Sequence, residues 1–95
     1  MRAAADEFTT PPDIAVEVVS AGQSVRGQHD RCRWYVDNGV EIALCVNPRP
    51  RRRSVTLFRA ASEPLVLTGD DRIPLHSVLP GCEQTVAALF AVLRP

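Results

Sequence analysis

The stretch PPDIAVEVVS, residues 11–20, decides how the rest of the chain is interpreted. β-branched residues are dense in it, which predicts a β-strand over residues 13–19. Successive side chains of a strand point to opposite faces, so the two acids, Asp13 and Glu17, share a face with Ala15 and Val19. A buried carboxylate is costly unless it has a partner. These acids therefore either meet solvent at a strand end or hold something.

The segments that follow this strand predict a mixed sheet with helices packed on it. In order, we expect a helix at 25–38, strands at 40–46, 54–59 and 65–68, and a helix at 83–93. The strand at 40–46 is apolar on nearly both faces, which is typical of a central strand. A strand–helix–strand unit implies a parallel pair, whereas the short turns after residue 46 imply antiparallel strands. The predicted fold class is α/β or α+β.

Length and composition restrict the function classes. The chain has 95 residues, which is enough for one small domain, and its hydrophobic fraction of 45% is sufficient for a core. The formal net charge is zero, so the chain as a whole does not have the field of a polycation. All its basic residues are arginine, which excludes a catalytic lysine. No segment resembles a signal peptide or a membrane span, and we expect a cytoplasmic protein.

The cysteines and histidines do not have the spacing of a zinc site. No two cysteines lie close together in the sequence, and the chain has only two histidines, His29 and His76. A structural zinc site needs four clustered ligands. We expect free, mostly buried thiols at Cys32, Cys45 and Cys82, and we expect both histidines to lie on the surface.

A series of short motifs in a fixed order resembles a known family. The motifs are Pro12-Asp13, Glu17-Val18-Val19-Ser20, Tyr35 before Gly39-Val40, Val46-Asn47-Pro48, Val55-Thr56-Leu57-Phe58, Leu79-Pro80-Gly81 and Leu89-Phe90. Together they resemble the Uma-type family of restriction-endonuclease-like proteins, a branch of the PD-(D/E)XK nuclease superfamily. The resemblance implies a restriction-endonuclease-like mixed sheet flanked by helices. It also implies Mg²⁺-dependent hydrolysis of DNA phosphodiester bonds.

The resemblance also implies which residues would form the site. Glu17 matches the catalytic, metal-binding glutamate, and Arg31 stands where the family has a lysine, four residues before Tyr35. Asp13 is a second candidate ligand, but about 13 Å of strand separates it from Glu17. In the family, the metal-binding aspartate comes from an earlier strand. We therefore expect 13–95 to be a partial domain without its N-terminal part, preceded by a disordered leader at 1–12.

The residues leave two alternatives to the nuclease open. In the first, Arg31 and Glu17 form a purely structural ion pair, and the chain is a non-catalytic relic or interaction module of the same fold. In another, the chain is a simple DNA-binding domain that uses the turn Arg49–Arg53, with Arg51, Arg52 and Arg53 on the phosphate backbone. A partial domain would also leave the strand at 13–19 with an open edge, which predicts marginal stability or a homodimer formed through that edge.

Overall fold

The computed structural model describes residues 13–75, 77–81 and 84–93. The elements are β1 (Ile14–Val18), α1 (Val25–Asp37), β2 (Ile42–Asn47), β3 (Ser54–Phe58), β4 (Leu65–Leu67), β5 (Arg72–Ile73), β6 (Gln84–Thr85) and α2 (Val86–Leu93). Both helices in this part of the chain are too short to cross a membrane. The predicted leader 1–12, His76 and Cys82 lie outside the described residues.

The main sheet has the mixed topology that the sequence predicts. Its strand order is β1-β2-β3-β4, with β1 parallel to β2 and the other neighbours antiparallel. Every residue of β2 is buried, as expected for a central strand. The register places Glu17 beside Cys45 and Cys45 beside Thr56. Glu17 is therefore the edge member of a row of neighbouring residues whose other two members, Cys45 and Thr56, are buried.

The two faces of the sheet pack against different partners. One face is covered by α2 and the segment around β5, and its core is formed by large side chains that include Ile42, Leu44, Leu57 and Phe90. The other face is covered by α1 and uses smaller residues of β2, Ala43 and Cys45. Small side chains let a helix approach the sheet closely. The face that carries Glu17 is therefore the one on which a helix lies near the strands.

Helix α1 begins and ends at residues with clear capping roles. Ser24 is the N-cap, and its side-chain oxygen accepts a hydrogen bond from the Gly27 backbone N–H at 2.9 Å. Gly39, just after the helix, has φ = 106°, a conformation that favours glycine. The buried residues of the helix, Gln28, Cys32 and Val36, recur every four positions and face the sheet.

The C-terminal region differs from the prediction. Residues 84–85 pair with 72–73 as a small second sheet, and α2 begins at Val86 instead of residue 83. The Thr85 side chain accepts a hydrogen bond from the Ala88 backbone N–H at 3.0 Å, which is typical of a residue that starts a helix. Strands of two residues are too short to show a periodic pattern, so the sequence did not reveal this pairing.

Strand β1 forms one edge of the main sheet. Among the described residues it pairs only with β2. The two valines on its side away from α1 are exposed, Val16 at 53% and Val18 at 43%. Exposed apolar residues on an unprotected edge strand favour pairing with another chain. Dimerisation through this edge therefore stays a prediction, and Val16 and Val18 are the residues expected to lie in the dimer interface.

We predict that the chain associates through β1 and that Val16→Lys shifts it toward monomer, because a charge on an edge strand opposes strand pairing. Val66→Lys is the matched control, since Val66 is 61% exposed on β4, the strand at the other end of the sheet. Sedimentation velocity over a concentration series measures the change. A natural chain that is a stable monomer at every concentration would contradict the prediction.

Candidate active site

The site is centred on the Glu17 carboxylate, which lies between β1 and α1. Glu17 is the fourth of the five residues of β1, on the sheet face that α1 covers, and its side chain is 20% exposed. Its strand neighbours on this face, Ala15 and Val19, pack against the cluster beneath the helix. A carboxylate placed there needs donors that compensate for its partial loss of water.

Two side chains of α1 supply those donors. The Tyr35 hydroxyl donates a hydrogen bond to Glu17 Oε2 at 2.8 Å. Arg31 Nε lies 3.5 Å from Glu17 Oε1, and Arg31 Nη2 lies 3.4 Å from the Tyr35 hydroxyl oxygen. Arg31 and Tyr35 are four residues apart, so one helix face presents both to the strand. The structure thus brings together Glu17 and Arg31, the two residues that the sequence predicts to be catalytic.

The electrostatics of the cluster leave Arg31 a permanent cation. The hydrogen bond with Tyr35 and then the negative charge of Glu17 raise the pKa of the Arg31 guanidinium further above its ordinary value. Arg31 therefore cannot exchange protons in a reaction. Its side chain is 61% exposed, so solvent weakens its attraction to Glu17 and the guanidinium remains accessible to a ligand.

Two free cysteines lie directly beneath this cluster. Cys32 on α1 and Cys45 on β2 are both buried, as predicted. A hydrogen bond with Cys45 and burial both raise the pKa of the Cys32 thiol, which keeps it neutral. A neutral thiol is a poor nucleophile, so Cys32 serves in packing and not in covalent chemistry.

Asp13 does not join the cluster. It is exposed and directly precedes β1, and its backbone carbonyl accepts a hydrogen bond from the Ile42 N–H at 3.2 Å. Four residues of strand lie between Asp13 and Glu17, which corresponds to about 13 Å between their Cα atoms. Within 13–75, 77–81 and 84–93, no group of three or more His, Cys, Asp or Glu side chains is arranged to hold a metal ion.

The basic turn between β2 and β3 has both structural and exposed arginines. The Arg49 guanidinium donates a hydrogen bond to the Gln23 backbone oxygen at 2.6 Å, and Arg53 lies over the Phe90 ring at 5.7 Å. Arg51 and Arg52 are exposed, and their side chains make no hydrogen bond or ion pair with the described part of the chain. Of the three arginines predicted to contact DNA, Arg51, Arg52 and Arg53, only the first two are therefore unengaged.

Two features of the site region were not apparent in the sequence. The first is the hydrogen bond from Tyr35 to Glu17, which the sequence motif does not indicate. The spacing of four residues between Arg31 and Tyr35 is the pattern that indicates that both side chains face the same strand. The second feature concerns His29, which the sequence predicts to lie on the surface and which keeps part of its side chain exposed. It is half-buried, with its ring 5.3 Å from that of Phe58, because it lies on the side of α1 that faces β3.

The fold is similar to that of a protein whose structure has been solved. It is similar to the crystal structure of "a putative nuclease belonging to DUF820" from Anabaena variabilis, with a TM-score of 0.78 and 22% identity. The match covers 92% of this chain and 48% of the other, so the chain spans about half the length of that protein. At this identity, the likeness shows the fold.

A family assignment accompanies this likeness. The Uma2 family, described as "Putative restriction endonuclease", matches residues 2–88, and the chain belongs to that family. This match confirms the resemblance found in the motifs, and the mixed sheet with its helices confirms the predicted fold class. No curated protein matches the chain.

We predict that Tyr35 stabilises the folded chain mainly through Glu17. Tyr35→Phe should lower the free energy of unfolding by about 1–2 kcal/mol, since it removes a hydrogen bond to a charged group. The same change should have little effect in a Glu17→Ala chain. Urea unfolding of the two single variants and the double variant measures this coupling.

The pair Arg31→Gln and Glu17→Ala serves as the comparison. We expect a coupling of only about 0–1 kcal/mol there, because the guanidinium is mostly exposed. A larger coupling for Arg31 than for Tyr35 would show that the ion pair, and not the hydroxyl, holds the carboxylate.

Proposed function

We propose that the chain is a metal-dependent endonuclease that hydrolyses DNA phosphodiester bonds, with Glu17 as a metal ligand and Arg31 in the place of the family's lysine. The observation that carries the proposal is the cluster of Glu17, Arg31 and Tyr35, in which an oriented carboxylate adjoins an accessible cation. Membership of the Uma2 family and the likeness to a protein described as "a putative nuclease" support it. The two buried free thiols are typical of a reducing cytoplasm, where we propose that it acts.

The Glu17 carboxylate is suited to be the single carboxylate ligand of a magnesium ion. Mg²⁺ is held in proteins by one or two carboxylates, water and substrate phosphate. An ionised carboxylate has about four acceptor positions, and Tyr35 and Arg31 use two of those of Glu17. Such an ion, when bound, supplies Lewis-acid stabilisation of the charge that develops on the phosphate. We do not expect Asp13 to share an ion with Glu17, because four residues of strand place their Cα atoms about 13 Å apart.

The side chains of the cluster have separate roles in this proposal. Tyr35 holds Glu17 through Oε2, which fixes the direction of the carboxylate. Arg31 binds the phosphate of the substrate, because its planar guanidinium is suited to two oxygens at once. Since Arg31 stays protonated, it contributes binding and charge stabilisation, and not proton transfer.

We predict Mg²⁺-dependent cleavage of plasmid or oligonucleotide DNA that falls more than about 100-fold in Glu17→Gln, since even outer partners of metal ligands contribute 10–100-fold. Glu41→Gln is the matched control, because Glu41 is exposed just before β2. Its rate should equal that of the natural chain. Cleavage that persists in Glu17→Gln would overturn the role of Glu17.

Arg31 variants belong to the same experiment and separate catalysis from a structural ion pair. Arg31→Lys should retain cleavage, because it restores the residue type of the family, whereas Arg31→Gln should lose it. The ion pair is structural if Arg31→Gln changes the free energy of unfolding and neither the Arg31 variants nor the Glu17 variant change the cleavage rate.

A non-catalytic module of the same fold is the second candidate. The observation that favours it is that protein donors already contact both Glu17 oxygens. In addition, the described residues contain no group of three or more His, Cys, Asp or Glu side chains that could hold a metal ion. A chain that neither cleaves DNA nor binds Mg²⁺ in isothermal titration would support this candidate over the nuclease.

The third candidate, a simple DNA-binding domain, rests on the exposed arginines of the basic turn. We predict that the double change Arg51→Gln and Arg52→Gln reduces the slope of log K against log salt by about 2, since each phosphate contact contributes about one unit. Arg26→Gln, on the exposed side of α1, is the control and should leave the slope unchanged. Fluorescence anisotropy of labelled duplex DNA measures the slope; an unchanged slope in the double variant would exclude contact by the turn.

A further inference from the structure

Trp34 is the one tryptophan of the chain, and it lies in the open beside the candidate site. Its side chain is 61% exposed, although it is among the largest apolar side chains in proteins. The Trp34 and Tyr35 rings are 5.8 Å apart in a T-shaped arrangement, and Tyr35 is the residue that bonds to Glu17. Scattered exposed hydrophobic residues are normal. This indole, however, adjoins the Tyr35 ring of the candidate site.

The helix places Trp34 on the same side as the cluster. Each residue advances an α-helix by about 100°, so Arg31 and Asn38 lie to one side of Trp34, in the direction of Tyr35. The Asn38 side chain donates a hydrogen bond to the Trp34 backbone oxygen at 2.8 Å, which holds the last turn in place. Gly27, two turns earlier and at a similar angle, has no side chain that would cover this surface.

The charges around Trp34 are arranged asymmetrically. Arg31, on the side of the cluster, is positive and exposed, and the Glu17 carboxylate 3.5 Å away offsets part of its charge. Asp30 and Asp37 lie on the other side of Trp34, at spacings of four and three residues, and both are exposed. A phosphate group close to Trp34 would therefore lie nearer to Arg31 than to these two aspartates. A strand would therefore lie with its phosphates over Arg31 and its bases toward the indole.

We propose that Trp34 is a stacking platform for an unpaired nucleobase next to the phosphate bound by Arg31, so that the preferred substrate is DNA with single-stranded or unpaired nucleotides. An aromatic face combined with a cation is the usual way in which proteins bind single strands, because every base has a face that can stack. The faces of bases inside a duplex are covered by their neighbours and are not available. The proposal rests on the proposed function only in that the ligand is DNA.

The fluorescence of Trp34 provides a direct test, since the natural chain has no other tryptophan. In EDTA, to prevent cleavage, a single-stranded oligonucleotide should quench the emission in a saturable manner. A blunt duplex of the same sequence should quench it less, and an oligonucleotide with abasic sites throughout its length should not quench it. Equal quenching by the abasic strand would overturn the proposal, because a phosphate backbone without bases cannot stack.

Substitutions test the same contact through the affinity, measured by anisotropy of a labelled single strand. Trp34→Ala should weaken binding about tenfold, and Trp34→Phe should weaken it less, as an aromatic face remains. Asp30→Asn and Asp37→Asn test the effect of the two negative charges beside Trp34. They should tighten binding and leave the quenching by a saturating strand unchanged. Circular dichroism checks that each variant is folded.

The outcomes separate this inference from the proposed function. Binding without a change in Trp34 emission, or with the affinity unchanged in Trp34→Ala, would overturn the stacking platform and leave the nuclease intact. Quenching without Mg²⁺-dependent cleavage would support the platform and count against the nuclease. Emission that changes with the concentration of the chain alone would mean that a second copy covers Trp34, which would also overturn the proposal.

Discussion

The hydrogen bond from the Tyr35 hydroxyl to Glu17 connects the two elements on which the site depends. A carboxylate that is four-fifths covered by a strand and a helix needs a donor, and the donor has to come from whatever covers it. Tyr35 lies in the last turn of α1, so the bond links the C-terminal part of the helix to the C-terminal part of β1. The position of α1 over the sheet and the direction of the carboxylate are therefore set together.

The packing beneath the helix explains why this bond can form. Ala43 and Cys45 of β2 and Cys32 of α1 form a cluster of small side chains under the helix, whereas the opposite face of the sheet carries larger ones. With small residues between them, helix and sheet lie close enough for a tyrosine side chain to reach a glutamate on the neighbouring strand. Larger residues at these positions would move α1 outward and separate the hydroxyl from Glu17.

The same helix presents three different surfaces. Its inner side packs on β2 through Cys32 and Val36. One flank carries Arg31 and Tyr35 toward the edge strand β1, and the other carries Arg33 toward β3, where the guanidinium bonds to the Arg59 backbone oxygen at 3.1 Å. Two arginines only two residues apart thus have different environments: Arg31 is exposed beside a carboxylate, and Arg33 is held against the backbone and the Phe58 ring.

The order of the elements, the parallel and antiparallel pairings and the central place of β2 could be predicted from the sequence, because they depend on local periodicity and on the lengths of connections. The family could be predicted from short motifs in order. That Arg31 lies near Glu17 could be predicted as well, because Arg31 stands at the position of the family's lysine. The pairing of β5 with β6 and the late start of α2 could not, because two-residue strands form through contacts distant in the sequence. The roles of the basic turn were also hidden: Arg49 and Arg53 look like Arg51 and Arg52 in the sequence, but they differ in what lies next to them.

The sequence by itself determined the fold class, the family and the carboxylate at the centre of the site, because residue type and spacing along the chain are sufficient for those. Only the tertiary structure decided which donors reach Glu17, and that Trp34 stands exposed beside them. Those features depend on the angle around α1 at which each side chain leaves the helix and on the strand that this angle faces. Both are settled only when the helix packs on the sheet.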